Sequence, residues 1–99
     1  MEEIRLTVHP FAMGTEKEAA LKPLEEAAET YASWQDYHDE WRKPNSIYAA
    51  LSEQSFADEI ADCIQACANL AARYGIDLGA AMERCETRNR DRGRYPLSD

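Results

Sequence analysis

The sequence is poor in the residue types that build several common sites. It has four glycines, and none belongs to the G-x-x-x-x-G-K-[ST] loop that cradles phosphates in many nucleotide-binding proteins. It has three cysteines without a C-x-x-C pair and two distant histidines, so Cys63 and Cys67 are predicted as small core residues, with zinc binding as the less favoured alternative. No apolar run approaches the roughly 20 residues that span a bilayer, which predicts no membrane partner. The first residues have no apolar core typical of a secretory signal, so we expect a cytoplasmic protein.

Basic residues are also scarce, and their distribution is uneven. The 99-residue chain has 11 lysines and arginines against 19 acids, for a formal charge of −8. Residues 1–83 carry a net charge of −10, whereas residues 84–99 carry five arginines against three acids. An acidic body repels the phosphate backbone of DNA and RNA, so no nucleic-acid partner is predicted. An acidic body with a basic tail suits a metal ion and a phosphorylated small molecule. The alternative is a solvated acidic surface with a frayed basic end.

Apolar periodicity predicts helices throughout the body of the chain. Gly14 followed by Thr15-Glu-Lys-Glu18 has the form of a capping box, which starts a helix. Apolar residues recur at spacings of three and four over residues 24–32, whereas Pro23 indicates either a break or a kink just before them. Residues 36–52 are predicted as a helix end, a loop at Lys43–Ser46 and a short further helix.

The clearest pattern is a stripe that we expect to face the core of the chain. It steps regularly by four and three residues through Phe56, Ile60, Cys63, Cys67, Leu70 and Tyr74. Gly75 is predicted to end this helix, and Asp77 to cap a last one. A chain this short buries a modest share of its surface, which favours association of copies. The predicted fold is all-α: a bundle of about four helices, completed by oligomerisation, with a short extended N-terminal arm over residues 1–16.

Two clusters of carboxylates lie on the predicted helices, Glu25-Glu26-x-x-Glu29 and Glu59-x-x-Asp62. Residues three or four apart lie side by side on a helix. Two like charges at that spacing destabilise the helix by about 0.2–0.5 kcal/mol. Two helices crossing at these points would gather a carboxylate nest that favours hard divalent cations. The alternative is an ordinary exposed acidic surface. Glu26 is predicted to point away from the apolar side of its own helix, so as a ligand it would need a second copy to cover it.

Four motifs in order resemble the MazG-like family of all-α nucleoside triphosphate pyrophosphohydrolases. They are Lys22-x-Leu24-Glu25-Glu26-x-x-Glu29, Glu59-x-x-Asp62, Tyr74-Gly75-Ile76-Asp77-Leu78 and Asn89-x-x-Arg92-Gly93. The resemblance covers residues 17–95, which would form the MazG-like helical domain.

The resemblance implies a function and a role for each motif residue. The metal ligands would be Glu26, Glu29, Glu59 and Asp62, holding Mg²⁺ with Mn²⁺ able to substitute. Glu25 would orient the attacking water, and the phosphate chain would contact Lys22, which is also assigned a catalytic role, together with Asn89 and Arg92. The reaction would convert a (deoxy)nucleoside triphosphate to the monophosphate and pyrophosphate in a homo-oligomer, either a dimer or a tetramer.

Two alternatives stay open at this point. One is an enzyme similar to phosphoribosyl-ATP pyrophosphohydrolase, which shares the bundle and the carboxylate arrangement. The other is a non-catalytic helical interaction module whose acids keep it soluble. Trp34 and Trp41, seven residues apart, are predicted to contribute to a core or an oligomer contact in preference to stacking on a base.

Overall fold

The computed structural model describes residues 2–41 and 47–96, and these residues form three helices. They are α1 (Glu16–Trp41), α2 (Ile47–Arg73) and α3 (Leu78–Asp91), and no strand occurs in the described ranges. The all-α prediction is confirmed, with three helices in place of the predicted four or so. The predicted loop at Lys43–Ser46 lies outside the described residues. No helix within the described ranges is both long and apolar enough to cross a bilayer.

The start of α1 is fixed by the capping box that the sequence predicts. The Thr15 hydroxyl accepts a hydrogen bond from the Glu18 amide at 3.1 Å, and the Glu18 carboxylate accepts one from the Thr15 amide at 3.4 Å. Gly14 precedes the box at φ +33°, and a β-carbon there would lie 2.6 Å from a Glu18 carboxylate oxygen. Pro23 lies inside α1, so of the two alternatives that the sequence leaves open there, a break and a kink, the break does not occur.

The end of α2 follows from Gly75, which adopts φ +65°. The amides of Gly75 and Ile76 donate to the carbonyls of Ala72 and Ala71 at 3.1 and 2.9 Å, the pattern of a Schellman motif. The Asp77 carboxylate then accepts from the Ala80 amide at 3.0 Å and caps α3. Both predicted boundaries are confirmed. The two separate helices predicted before Gly75 are instead one helix of 27 residues.

The helices α1 and α2 form an antiparallel pair. Tyr37 stacks on Phe56 with ring centroids 5.4 Å apart, and further along the pair the Thr30 hydroxyl donates to the Glu59 carbonyl at 3.1 Å. In contrast, α3 approaches α2 at few positions and α1 at none within the described ranges. The structure therefore has one extensive helix contact, with α3 attached at its end.

The predicted core stripe of α2 faces the core of the chain only in part. Phe56, Cys63 and Leu70 are half-buried, whereas Ile60, Cys67 and Tyr74 are exposed. The prediction is therefore wrong for half of the stripe. The prediction that Glu26 points outward is wrong as well, because Glu26 is only 7% exposed.

The N-terminal arm lies along α2, and side chains from three successive turns of α2 hold it in place. The Phe11 amide donates to the Asn69 side-chain oxygen at 2.9 Å, and the Gln65 side-chain amide donates to the His9 carbonyl at 3.0 Å. Arg73 donates to the carbonyls of Met13 and Gly14 at 3.2 and 3.1 Å. Because each bond involves the arm's backbone, the arm is positioned independently of most of its own side chains.

Candidate metal centre

The contact between α1 and α2 is built from small and polar side chains, which allows acidic residues between the helices. On α1 the side facing α2 includes Ala19 and Glu26, both buried, and the half-buried Thr30. The Thr30 hydroxyl lies 2.8 Å from the Glu26 carbonyl and 3.1 Å from the Glu59 carbonyl. This single hydroxyl therefore bridges the two helices where the first acidic cluster meets the second.

Three of the predicted metal ligands come together near Thr30, where α1 and α2 are in contact. Glu26, Glu29 and Glu59 each offer a carboxylate oxygen, and these oxygens all lie within 4.8 Å of one another. Glu26 is buried, Glu59 is half-buried and Glu29 is exposed. We call these three residues the carboxylate triad. It is closed on the side between the helices and open to solvent at Glu29.

Two oxygens of the carboxylate triad are buried without any compensating contact. Glu26 Oε2 and Glu59 Oε2 are inaccessible to solvent and have no hydrogen-bond partner among the described residues. A buried acceptor left unpaired costs about 1–3 kcal/mol, and more when it is charged. Surface clusters of acids avoid this cost because water pairs with their oxygens. The two unpaired oxygens therefore distinguish the carboxylate triad from an ordinary acidic surface.

The electrostatics of the carboxylate triad also favour a cation. The charge of Glu26 raises the pKa of Glu29, with further contributions from burial and from the charge of Glu59. Lys22 lies nearby, with its Nζ atom 3.2 Å from Glu26 Oε1 and 3.6 Å from Glu25 Oε2. A hydrogen bond to Glu26 and the charge of Glu26 raise the pKa of Lys22, so the ammonium stays protonated. One lysine against three carboxylates leaves an excess of negative charge.

The donor set fits magnesium or manganese. Both are hard cations that take oxygen ligands, and magnesium uses one or two carboxylates together with water and substrate phosphates. No cysteine belongs to the carboxylate triad. Burial first, and then the neighbouring Cys67 and Glu26, raise the pKa of the Cys63 thiol, which disfavours the thiolate that zinc binds. The chemistry of the site thus matches the metal that the sequence predicts.

Asp62, the fourth predicted ligand, is not part of the carboxylate triad. It is exposed and lies outside the group of mutually close oxygens. Glu25, the residue expected to orient water, is exposed beside Lys22 and adjacent in sequence to Glu26. The prediction correctly paired the two acidic motifs, but only one acid of the second motif reaches the site.

The predicted phosphate contacts on α3 lie apart from the carboxylate triad within one chain. Asn89 is engaged by its own neighbours: its side-chain amide donates to the Tyr95 hydroxyl at 3.2 Å, and its oxygen accepts from Arg94 at 3.0 Å. The Tyr95 hydroxyl in turn donates to Glu86 at 2.6 Å. Arg92 is exposed at the end of α3. Since α3 does not approach α1, neither Asn89 nor Arg92 is brought to the site by its own chain.

Thr30 is the site residue that the sequence did not indicate. It lies four residues after Glu26 on the same side of α1, where a threonine hydroxyl commonly bonds the carbonyl of the preceding turn. Its second contact, to the Glu59 carbonyl, depends on how the two helices pack. No local pattern gives that information.

Comparisons with protein-family models, with curated proteins and with solved structures find no match to this chain. The resemblance to the MazG-like family therefore rests on the four sequence motifs. It remains a hypothesis.

Proposed function

We propose that this chain is a magnesium-dependent nucleoside triphosphate pyrophosphohydrolase, with the carboxylate triad as its metal site. The observation that carries the proposal is the pair of buried, unpartnered carboxylate oxygens on Glu26 and Glu59, together with the nearby carboxylate of Glu29. A site that is costly when empty and composed of hard oxygen donors is matched to a divalent cation. The sequence motifs then indicate which substrate accompanies the metal.

The proposed reaction attaches the oxygen of water to the α-phosphorus and releases pyrophosphate, leaving the nucleoside monophosphate. Magnesium, when bound, would neutralise phosphate charge and make a bound water more acidic. Glu25 is exposed beside the carboxylate triad, where its carboxylate can accept the proton that the water loses. Lys22 would contact the phosphate chain, because its ammonium lies beside the carboxylate triad, between the carboxylates of Glu25 and Glu26.

The proposal includes a homo-oligomer, a dimer or a tetramer. Asn89 and Arg92 are assigned to the phosphate chain, but α3 lies apart from the carboxylate triad of its own chain. If these residues contact the substrate, they do so in an assembly that brings α3 of one copy near the carboxylates of another. An arginine at that position would bind phosphate oxygens with two parallel hydrogen bonds.

The non-catalytic module is the weaker reading of the same site. Such a module gains nothing from burying two unpaired carboxylate oxygens, each of which lowers its stability. An enzyme similar to phosphoribosyl-ATP pyrophosphohydrolase would use the carboxylate triad in the same way. It therefore differs from the proposal only in the nucleotide that it accepts.

The proposal is tested by measuring pyrophosphate release from a panel of nucleoside and deoxynucleoside triphosphates with Mg²⁺, and in parallel with chelator. We expect release with magnesium only, and its loss in Glu59→Gln. The matched control is Asp58→Asn, an exposed acid adjacent to Glu59 on α2, which should remain active. If no nucleotide, phosphoribosyl-ATP included, releases pyrophosphate, the proposal that this chain is a pyrophosphohydrolase is refuted. If Glu59→Gln and Asp58→Asn are equally active, the proposal that the carboxylate triad is the catalytic site is refuted.

A further inference from the structure

Thr30 is linked to every member of the carboxylate triad. Its hydroxyl oxygen lies 2.8 Å from the backbone carbonyl of Glu26 and 3.1 Å from that of Glu59. Thr30 also follows Glu29 directly in the sequence, and it is half-buried where α1 contacts α2. Both hydrogen bonds end on backbone carbonyls. The Thr30 side chain therefore acts on where the acids are held, and it does not occupy the carboxylate oxygens that a ligand would use.

The carboxylate triad cannot by itself hold α1 and α2 together. Ionised carboxylates accept hydrogen bonds but donate none. Three of them offer oxygens within 4.8 Å of one another, and like charges at that distance repel. The Thr30 hydroxyl supplies the donor that the acids lack, and it reaches from α1 to the backbone of α2.

The position of the Thr30 hydroxyl is fixed by its own helix. Threonine is branched at its β-carbon, which limits its rotamers in a helix, and its hydroxyl commonly bonds the carbonyl four residues back. Thr30 makes that bond to the Glu26 carbonyl. Because the hydroxyl is held in this way, its second bond to the Glu59 carbonyl requires the α2 backbone to lie at one distance from α1.

Thr87 on α3 is a threonine with the first of these bonds but not the second. Its hydroxyl donates to the carbonyl of Glu83, four residues back, at 3.1 Å. Thr87 is exposed, and its hydroxyl makes no bond to another helix within the described ranges. The bond to a second helix therefore distinguishes Thr30 from Thr87.

We propose that Thr30 is a positioning residue that fixes the gap between Glu26 and Glu59 and so makes the carboxylate triad select magnesium over calcium. Magnesium requires near-ideal octahedral geometry with ligands at about 2.0–2.1 Å, whereas calcium accepts ligands at about 2.3–2.6 Å in flexible geometry. A gap held at one width favours the smaller ion, and a gap that can widen favours the larger one. The inference rests on the metal site of the proposed function but does not depend on the nucleotide reaction.

The test is metal binding to the full chain without nucleotide. Free Mn²⁺ is measured by electron paramagnetic resonance, and Mg²⁺ or Ca²⁺ is added as a competitor, so that each dissociation constant is obtained without turnover. The wild type is expected to bind magnesium more tightly than calcium. Thr30→Val keeps the branched shape and removes the donor. It should weaken magnesium binding by about tenfold, the lower end of the effect of losing a residue that orients a metal ligand. Calcium binding should change by less than about threefold, because calcium tolerates irregular geometry.

Two further variants separate the hydroxyl from a general effect on structure. Thr30→Ser keeps the donor and should retain the wild-type preference for magnesium, which a role limited to packing of the threonine methyl group does not predict. Thr87→Val loses the same kind of bond within a helix and should leave both affinities unchanged.

The measurements distinguish the role of Thr30 from the proposed function. A wild type that binds neither Mn²⁺ nor Mg²⁺ would overturn both the metal site and the role of Thr30. A wild type that binds calcium at least as tightly as magnesium would overturn the role of Thr30 alone, whether or not Thr30→Val folds. So would a folded Thr30→Val with the wild-type ratio of affinities, or a Thr30→Ser that loses this ratio. Selective metal binding without pyrophosphate release from any nucleotide would refute the reaction alone.

Discussion

Glu26→Gln should make the metal-free protein more stable while abolishing its response to magnesium. Glu26 is buried between α1 and α2, and one of its oxygens has no partner among the described residues. The substitution keeps the shape of the side chain and replaces one carboxylate oxygen with an amide that donates hydrogen bonds. Oxygens of Glu29 and Glu59 lie within 4.8 Å of one of Glu26, so a small movement of these side chains would let them accept such a bond. The variant therefore relieves both the unpaired oxygen and the repulsion among three acids.

The expected stabilisation by Glu26→Gln is the difference between two free-energy contributions. Relief of a buried unpaired acceptor is worth about 1–3 kcal/mol. Loss of the ion pair with Lys22 opposes part of this gain, which leaves a net stabilisation of about 1 kcal/mol. For a domain of this length, 1 kcal/mol corresponds to a rise of about 4–8 °C in the melting temperature.

The assay is thermal unfolding at one fixed chain concentration, first with chelator and then with excess Mg²⁺. With chelator the variant should melt above the wild type. Magnesium at about 100 times its dissociation constant should stabilise the wild type by about 2.7 kcal/mol and the variant much less. Glu25→Gln is the control, since Glu25 is the exposed neighbour and should change stability by less than about 0.5 kcal/mol. A variant that melts below the wild type with chelator, or that magnesium stabilises equally, would refute the reasoning.

Three further outcomes are expected. The pKa of Glu29 is raised in the folded metal-free protein, so protonation of Glu29 favours folding. The free energy of unfolding of the wild type should therefore rise relative to that of Glu29→Gln as the pH falls from roughly 7 to 5. Parallel plots of unfolding free energy against pH for the two proteins would contradict this. Magnesium should no longer stabilise Glu59→Gln but should still stabilise Asp62→Asn, which separates the carboxylate triad from the nearby exposed acid in a thermal shift assay. Arg92→Ala should raise KM or lower turnover by about tenfold, whereas Arg90→Ala should stay near wild type. Equal kinetics of the two variants would show that α3 does not contribute to the proposed substrate site.

The boundaries of the helices were predictable because their causes are local. The capping box at Thr15 connects residues three apart, the left-handed Gly75 closes a motif within five residues, and Asp77 caps α3 three residues on. Each of these hydrogen bonds depends on residues visible in one short stretch of sequence. Pro23 was harder to interpret, because the sequence does not show whether the surrounding helix tolerates the lost backbone bond.

The side of each helix that would be buried could not be predicted in the same way. Periodicity shows which residues share a side, and the stripe through Ile60 and Tyr74 does share one. It does not show whether that side is covered by the same chain or by another. The regular spacing predicts that the stripe faces the chain's own core, and the predicted outward position of Glu26 follows from the same assumption. Both expectations fail around Glu26 and Ile60 for one reason: at that point α1 and α2 meet through small and polar side chains, whereas Tyr37 and Phe56 make an aromatic contact further along.

The candidate site was predicted in part, because the relative position of two helices is a tertiary property. The motif around Glu26 and Glu29 was correctly matched with the motif around Glu59. Which acid of the second motif would reach the site depends on the rotation of α2 against α1, which leaves Asp62 exposed. Asn89 was expected to be available for a ligand. Its contacts with Tyr95 and Arg94 arise from the chain after α3, which turns back on the helix.

The position of the carboxylates and the exposure of large apolar residues such as Tyr31 and Ile60 have a common physical origin. A contact lined with large apolar residues would hold the helices further apart and would exclude ionised side chains, because burying an unpaired charge there costs several kcal/mol. Ala19, Ala66 and Thr30 instead let α1 and α2 approach closely, with room between them for Glu26. The large residues are then left on the outside, where a single chain cannot bury them. A chain that places acidic residues between its two main helices in this way leaves much of its large apolar surface outside their contact.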